Sequence, residues 1–228
     1  MSRKNLWIVL GLVVVVAAVA AWYFTRPQTS STLMAASTPS GGEVIGPNEP
    51  HTMGNPKAKV TVIEYGAFTC PVCAYFDQEI FPAFKAKYID TGKVFYVYRL
   101  YPIDAADGKA WNIAVCLPKS QFFPFIDLLY RRQADWGPEQ HNEHGAPAQP
   151  QTEAGLLQMA RIQGLGADQA RACMNSKKED ARINQVAQDG EQRYQLTATP
   201  TLIVNGQPQQ PGPIPLDRLS QVIDPLLK

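Results

Sequence analysis

An almost wholly apolar, β-branched run, Val60-Thr61-Val62-Ile63-Glu64-Tyr65, is followed within five residues by Cys70-Pro71-Val72-Cys73. No other stretch restricts the fold as much. The run has the composition of a central strand buried on both faces, with Glu64 out of place. Gly66 to Thr69 reads as a turn. Pro71 suits the first position of a helix, where its missing N–H would have no partner anyway. This order places Cys70 at the N-cap. There a sulfur accepts the orphan N–H groups of the first turn, and the positive end of the helix dipole favours a thiolate. A free cysteine titrates near ~8.5, and such a setting lowers that value. Cys73 falls one turn on and faces back, so the two can close a small disulfide. Cys70 is the candidate nucleophile and Cys73 the resolving thiol. A zinc site would need a second pair at ligand spacing, which is missing. A purely structural bridge would close a loop too short to stabilise much.

The first helix is expected to run to about Tyr88, kinked at Pro82. Residues 93–101 read as a second strand, ended by Pro102. Residues 104–182 are mostly helical in pattern, interrupted at 136–152 by a polar loop rich in Pro and Gly. A further helix presents Ile183, Val186, Ala187, Gly190 and Tyr194 on one face. Thr201-Leu202-Ile203-Val204 returns to strand character, and Asn205-Gly206 is a strong hairpin signal. Pro208 suits an edge strand. A closing helix is expected over 216–227.

Residues 6–24 carry no charge over 19 positions and follow Arg3 and Lys4. As a helix they span about 28 Å, close to the hydrocarbon thickness of a bilayer. Trp7 and Trp22-Tyr23 sit at the two ends, where aromatic rings favour the interface. The expectation is a retained inner-membrane anchor, with a signal peptide cleaved near Ala20 as the alternative. Either places the globular part outside the cytoplasm. Residues 25–57 are polar, small and breaker-rich, a flexible tether in which His51 carries no signal. With 21 basic and 20 acidic residues and no clustered basic face, nucleic acid is not an expected partner. His141 and His144 lie in the polar loop without a third ligand at clear spacing, so no metal site is expected.

Three elements together resemble the DsbA family of thioredoxin-fold oxidoreductases. They are Glu64-Tyr65-Gly66-Ala67-Phe68-Thr69-Cys70-Pro71-Val72-Cys73, the strand ending Val97-Tyr98-Arg99-Leu100-Tyr101-Pro102, and Thr199-Pro200-Thr201-Leu202-Ile203-Val204-Asn205-Gly206. The resemblance covers residues 53–228. It implies an α/β thioredoxin fold with an inserted helical domain. The division is then 1–24 anchor or signal peptide, 25–57 linker, 58–103 first part of the thioredoxin fold, 104–182 insertion and 183–228 second part. It also implies a periplasmic thiol–disulfide oxidoreductase. That enzyme would exchange the Cys70–Cys73 disulfide with cysteine-containing exported proteins, foremost as a disulfide-forming oxidase. No cofactor is implied, and reoxidation falls to a membrane quinone-linked partner. An isomerase or reductase of the same fold stays open, as does a copper-handling protein using soft thiolates.

By the same resemblance Thr199-Pro200 is a cis peptide bond packed against the disulfide. It turns Thr199 backbone groups toward an incoming extended peptide, beside Pro71 and Val72. Glu64 becomes a proton relay for Cys73, the alternative being a strand-end glutamate that reaches solvent. Cys116 and Cys173 become a second disulfide, as leftover cysteines of exported proteins usually do. Its loop of about 58 residues corresponds to about 4 kcal/mol in the chain-entropy treatment. Val72 stands where many family members have histidine. Valine cannot donate to sulfur, so the pair is expected to be less oxidising than the DsbA extreme.

Overall fold

β2 (Val60–Gly66) lies at the centre of a five-stranded sheet, as its composition requires. The computed structural model describes residues 50–138 and 149–228. The other strands are β1 (Thr52–Gly54), β3 (Val94–Leu100), β4 (Thr201–Val204) and β5 (Gln207–Pro208), in the order β1-β3-β2-β4-β5. β3 runs parallel to β2, and the remaining pairs are antiparallel. A parallel pair needs a crossover, and the helical run from residue 71 to 89 supplies it. That run comprises α1 (Pro71–Tyr75), a π-helical turn Phe76–Ile80, α2 (Phe81–Phe84) and a second π-helical turn Lys85–Ile89. Pro82 has no N–H to offer the helical ladder. Just before it the ladder widens, and the Phe81 N–H reaches the Phe76 carbonyl.

Between β3 and β4 the chain leaves the sheet for α3 (Ala105–Cys116), α4 (Lys119–Arg131), α5 (Gln133–Trp136), α6 (Gln149–Ile162) and α7 (Ala167–Met174). α8 (Asp180–Tyr194) then returns to the sheet. This is a thioredoxin-like α/β fold with a helical insertion. Cys116, at the end of α3, is bonded to Cys173 of α7. Asn205 and Gly206 both adopt positive φ, 44° and 79°, the geometry that lets a two-residue hairpin follow the twist of β4 and β5. The closing helix divides into α9 (Leu216–Ile223) and a 3-10 turn Asp224–Leu227, where Pro225 removes a ladder donor.

Alternation along β2 divides its side chains between two cores. Val60 and Val62 join Val94, Tyr96, Tyr98, Leu202 and Val204 in the larger one, which also holds Cys73 and Ala74 of α1. Ile63 and Tyr65 join Val97, Ile203 and Leu196 in the smaller one, against Val186 and Tyr194. Glu64 has the parity of Val60 and Val62, so its carboxyl enters the larger core beside the cysteine helix.

Order begins earlier than the expected tether boundary at residue 57. β1 pairs with the otherwise free edge of β3, Thr52 opposite Val97 and Gly54 opposite Phe95. His51, which carries no signal within the tether, is buried. Its ring stacks on Phe122 at 3.9 Å and meets Trp111 edge-on at 4.6 Å, and its carbonyl accepts the Tyr98 N–H at 2.9 Å. Composition hides this because the unpaired backbone of a sheet edge does the ordering. The apolar residues 6–24, the tether before residue 50, and His141 and His144 lie outside the described residues. Among the described residues no helix is long and apolar enough to cross a membrane.

Burial, with the Arg182 and Lys119 charges adding to it, pushes the His51 imidazole down to about 3. The unfolded chain protonates this residue below about pH 6.5, whereas the folded chain resists until far lower. Stability is therefore expected to fall as pH drops from 6.5 toward 3, by up to about 1.4 kcal/mol per pH unit from this residue. His51→Phe, which keeps a ring in the stack, should remove that part of the fall. Urea denaturation at pH 7, 5 and 4 checks it, and equal pH slopes in the two proteins would refute it.

Candidate active site

The turn leaving β2 closes with the Cys70 N–H donating to the Ala67 carbonyl at 3.2 Å. Cys70 is then the N-cap of α1, in extended conformation, with Pro71 at the first helical position. The Cys73 N–H donates to Cys70 Sγ at 3.4 Å. From the opposite side comes the loop before β4. Its Thr199-Pro200 peptide bond is cis, and the Cys70 thiol donates to the Thr199 carbonyl at 3.5 Å. The motif at residue 70 and the proline at residue 200 thus meet at one sulfur. Neither cysteine is disulfide-bonded in this structure.

The two sulfurs differ in protonation. Cys70 is held down to about 6, chiefly by a hydrogen bond from the Cys73 side chain. Burial opposes this, and hydrogen bonds from the Thr199 side chain and from the Cys73 and Val72 N–H groups reinforce it. Burial pushes the Cys73 thiol well up, and the hydrogen bond and charge of Cys70 push it further. At neutral pH the pair therefore carries one negative charge, on Cys70. That is the form in which a cysteine is nucleophilic. Cys70 keeps 5% of its surface exposed, whereas Cys73 keeps none. Pro71 and Val72 are exposed beside it, Val72 by 39%.

Glu64 does not reach solvent at the end of the strand. It is 2% exposed and accepts the Tyr96 hydroxyl at 2.6 Å. Burial lifts its carboxyl to about 8 against the lowering effect of that hydrogen bond, and the Asp77 and Cys70 charges add to the rise. It is thus protonated at neutral pH; once ionised, its charge adds to the rise of Cys73. The carboxyl and the buried sulfur are electrostatically linked in the same core.

Several neighbours carry no motif. Tyr96 alternates with Val94 and Tyr98 along β3, and this period of two would have put its hydroxyl on the Glu64 face. Asp107 of α3 accepts the Thr69 N–H at 2.8 Å and the Thr69 hydroxyl at 3.0 Å, next to Cys70. Its signal was the Asp104–Asp107 spacing of a capping box. Gln133 of α5 donates to the Phe68 carbonyl at 2.7 Å, and nothing in the sequence announces that contact. Cys116 and Cys173 tie α3 to α7 within the insertion and belong to the frame of the domain.

A family model described as Thioredoxin matches residues 47–225. A Rickettsia typhi protein named as a protein-disulfide oxidoreductase is 32% identical over 186 residues, covering 79% of this chain and 63% of that protein. A Bacillus cereus protein named as disulfide bond formation protein D is 27% identical over 194 residues, covering 82% of this chain and 83% of the other. The crystal structure of Wolbachia pipientis alpha-DsbA1 superposes with a TM-score of 0.68 at 28% identity, over 80% of this chain and 92% of that one. The chain spans about six tenths of the length of the rickettsial relatives. These similarities agree with the DsbA resemblance of the sequence.

A raised carboxyl has a cost that pH exposes. The unfolded chain releases the Glu64 proton above about pH 4.5, and the folded chain keeps it to about 8. Stability from this group is full below pH 4.5 and is lost as pH rises through 8. Glu64→Gln, which stays neutral, is expected to stabilise the reduced protein at pH 7.5 by on the order of 1 to 3 kcal/mol, with no gain at pH 4. Denaturant titrations at the two pH values decide this; a gain of equal size at both would refute it.

Proposed function

This chain belongs to the thioredoxin family whose model spans residues 47–225, and on that membership we propose that it is a thiol–disulfide oxidoreductase acting through Cys70 and Cys73. One observation carries the reading. Two sulfurs meet at the start of α1, one poised as an anion with a little exposed surface and the other neutral and sealed. That division of labour suits attack at one sulfur only.

In the oxidase direction the enzyme starts as the Cys70–Cys73 disulfide. A substrate thiolate attacks Cys70 Sγ, a mixed disulfide forms, and Cys73 leaves as a thiolate. A thiolate sealed in this core is costly. Protonated Glu64 supplies a proton to it and later recovers one from solvent. A second substrate thiolate then attacks the substrate sulfur of the mixed disulfide, and Cys70 leaves as a thiolate. The substrate dithiol is oxidised by two electrons and the enzyme disulfide is reduced by two. A stable Cys70 anion is a good leaving group and favours the reduced enzyme, which is what makes an oxidant. The Val72 side chain adds no donor, so the oxidising power sits below the DsbA extreme.

Thr199, Pro71 and Val72 form the substrate-facing rim, and an extended peptide pairs with the Thr199 backbone there. The substrates are cysteine-containing exported proteins. The site of action is the periplasm, with residues 6–24 as the inner-membrane anchor and a quinone-linked membrane partner restoring the disulfide. The leaderlike charge pattern of residues 3–24 supports this setting.

Cys73→Ala should trap substrates as mixed disulfides on Cys70, visible on non-reducing gels and released by dithiothreitol. An absence of trapped species with reduced, unfolded substrate would sink the exchange reading. Oxidation of a reduced test protein should outpace insulin reduction; the reverse order would favour a reductase. Val72→His should move the redox equilibrium with glutathione toward the reduced enzyme by about tenfold, and no shift would remove residue 72 from the account of the potential.

A further inference from the structure

Asp107 is fully buried, and four donors converge on its carboxylate. Oδ1 accepts the Thr69 N–H at 2.8 Å. Oδ2 accepts the Thr69 hydroxyl at 3.0 Å, the Ile103 N–H at 2.9 Å and the Asp104 N–H at 3.0 Å. A carboxylate offers about four lone-pair sites, so this one is saturated. Capping α3 requires only the Asp104 contact. The two bonds to Thr69 exceed what the helix needs, and they grip the residue that precedes the nucleophile. Thr69 is itself 4% exposed. The adjoining Phe68 carbonyl is held by Gln133, also from the insertion. The turn that presents Cys70 is therefore fastened from outside the sheet that delivers it.

We infer that Asp107 is a positioning residue for the Cys70 sulfur: by fixing Thr69 it sets the place from which that sulfur meets the first N–H groups of α1. The inference rests on the exchange reading and extends it from the two sulfurs to the insertion. Its physical content is a difference between redox states. A staple that only holds the fold together lowers the stability of the disulfide and dithiol forms alike, and leaves the redox equilibrium where it was. A positioning residue acts chiefly on the dithiol form. There the Cys70 anion depends on a 3.4 Å contact with the Cys73 N–H, whereas in the disulfide form a covalent bond holds the sulfur. Loosening Thr69 then costs the reduced state more and makes the enzyme a weaker oxidant.

The test uses the full chain with Asp107→Asn, Thr69→Val and Asp104→Ala. Asp107→Asn turns an amide toward N–H donors. Thr69→Val removes only the hydroxyl and carries the test if the first variant fails to fold. Asp104→Ala removes the side-chain bonds to the Ala106 and Asp107 N–H groups and weakens α3, while removing no partner of Thr69. Three quantities are read: the redox equilibrium with glutathione, the pH midpoint of the Cys70 thiolate by ultraviolet absorbance, and the denaturation midpoints of both redox forms. Asp107→Asn is expected to shift the equilibrium toward the disulfide form by about fivefold or more and to raise the thiolate midpoint measurably. Thr69→Val should move both in the same direction by less. Asp104→Ala should lose stability with both quantities unchanged. If Asp107→Asn and Thr69→Val destabilise the two redox forms equally, with equilibrium and midpoint unmoved, Asp107 is a structural staple and the inference is wrong. A wild-type midpoint near that of a free cysteine would instead bring down the exchange reading, and this inference with it.

Discussion

A sulfur held 3.4 Å from an N–H that has no partner within its helix is the contact around which the rest is arranged. The first turn of any helix leaves such donors over, and something must satisfy them. Here the acceptor is a side chain able to carry negative charge, and Pro71 removes one of the donors that would otherwise compete. For the arrangement to hold, the residue entering the helix cannot wander. β2 meets that demand by being the middle strand, paired on both edges and buried on both faces. Cys70 thus follows closely on a strand that is paired along both edges.

Burial then separates two chemically identical groups. Taking a thiolate out of water is unfavourable, so the sulfur with fewer compensating donors keeps its proton. Cys73 faces the larger core, and Cys70 faces donors and a little solvent. The same logic acts on Glu64. A carboxyl in that core is raised until it is neutral at physiological pH, and the Tyr96 hydroxyl only partly offsets the rise. The acid, the buried sulfur and the anionic sulfur influence one another because the medium between them screens poorly. In the proposed exchange that is an advantage, since the group needing a proton and the group holding one lie in the same dry space.

Much of this was readable in the residues themselves. The β-branched run, the proline after the first cysteine and the Asn205-Gly206 pair are local signals, each acting through its own backbone, and the structure places them as expected. Glu64 was conspicuous because it interrupts an apolar run. What escaped depends on partners distant in sequence. β1 has no strand signature, and only the vacant edge of β3 makes it a strand. His51 looks like tether until Trp111 and Phe122, some sixty to seventy positions on, enclose it. Asp107 reads as an ordinary helix-start acid, and only the fold shows that its other oxygen reaches back to Thr69. The pairing of Cys116 with Cys173 came from compartment and family rather than from spacing.

The groups that hold Cys70 down are hydrogen-bond donors, not cations. A thiolate balanced by a cation responds to ionic strength, because surface charges are screened over about 10 Å in dilute salt. One balanced by N–H groups and a neighbouring thiol responds instead to geometry, since such bonds weaken steeply with distance and angle. A site of this second kind needs a frame that fixes donors and acceptor to within tenths of an ångström. The insertion helps to supply it. α3 grips Thr69 and α5 grips Phe68, on the residues that lead into Cys70. With the Val72 side chain offering no donor, the tuning of this sulfur falls to the backbone and to whatever keeps that backbone still. A helical domain inserted between β3 and β4 is then part of the electrostatic environment of Cys70, although none of its side chains is among the groups that hold that sulfur down.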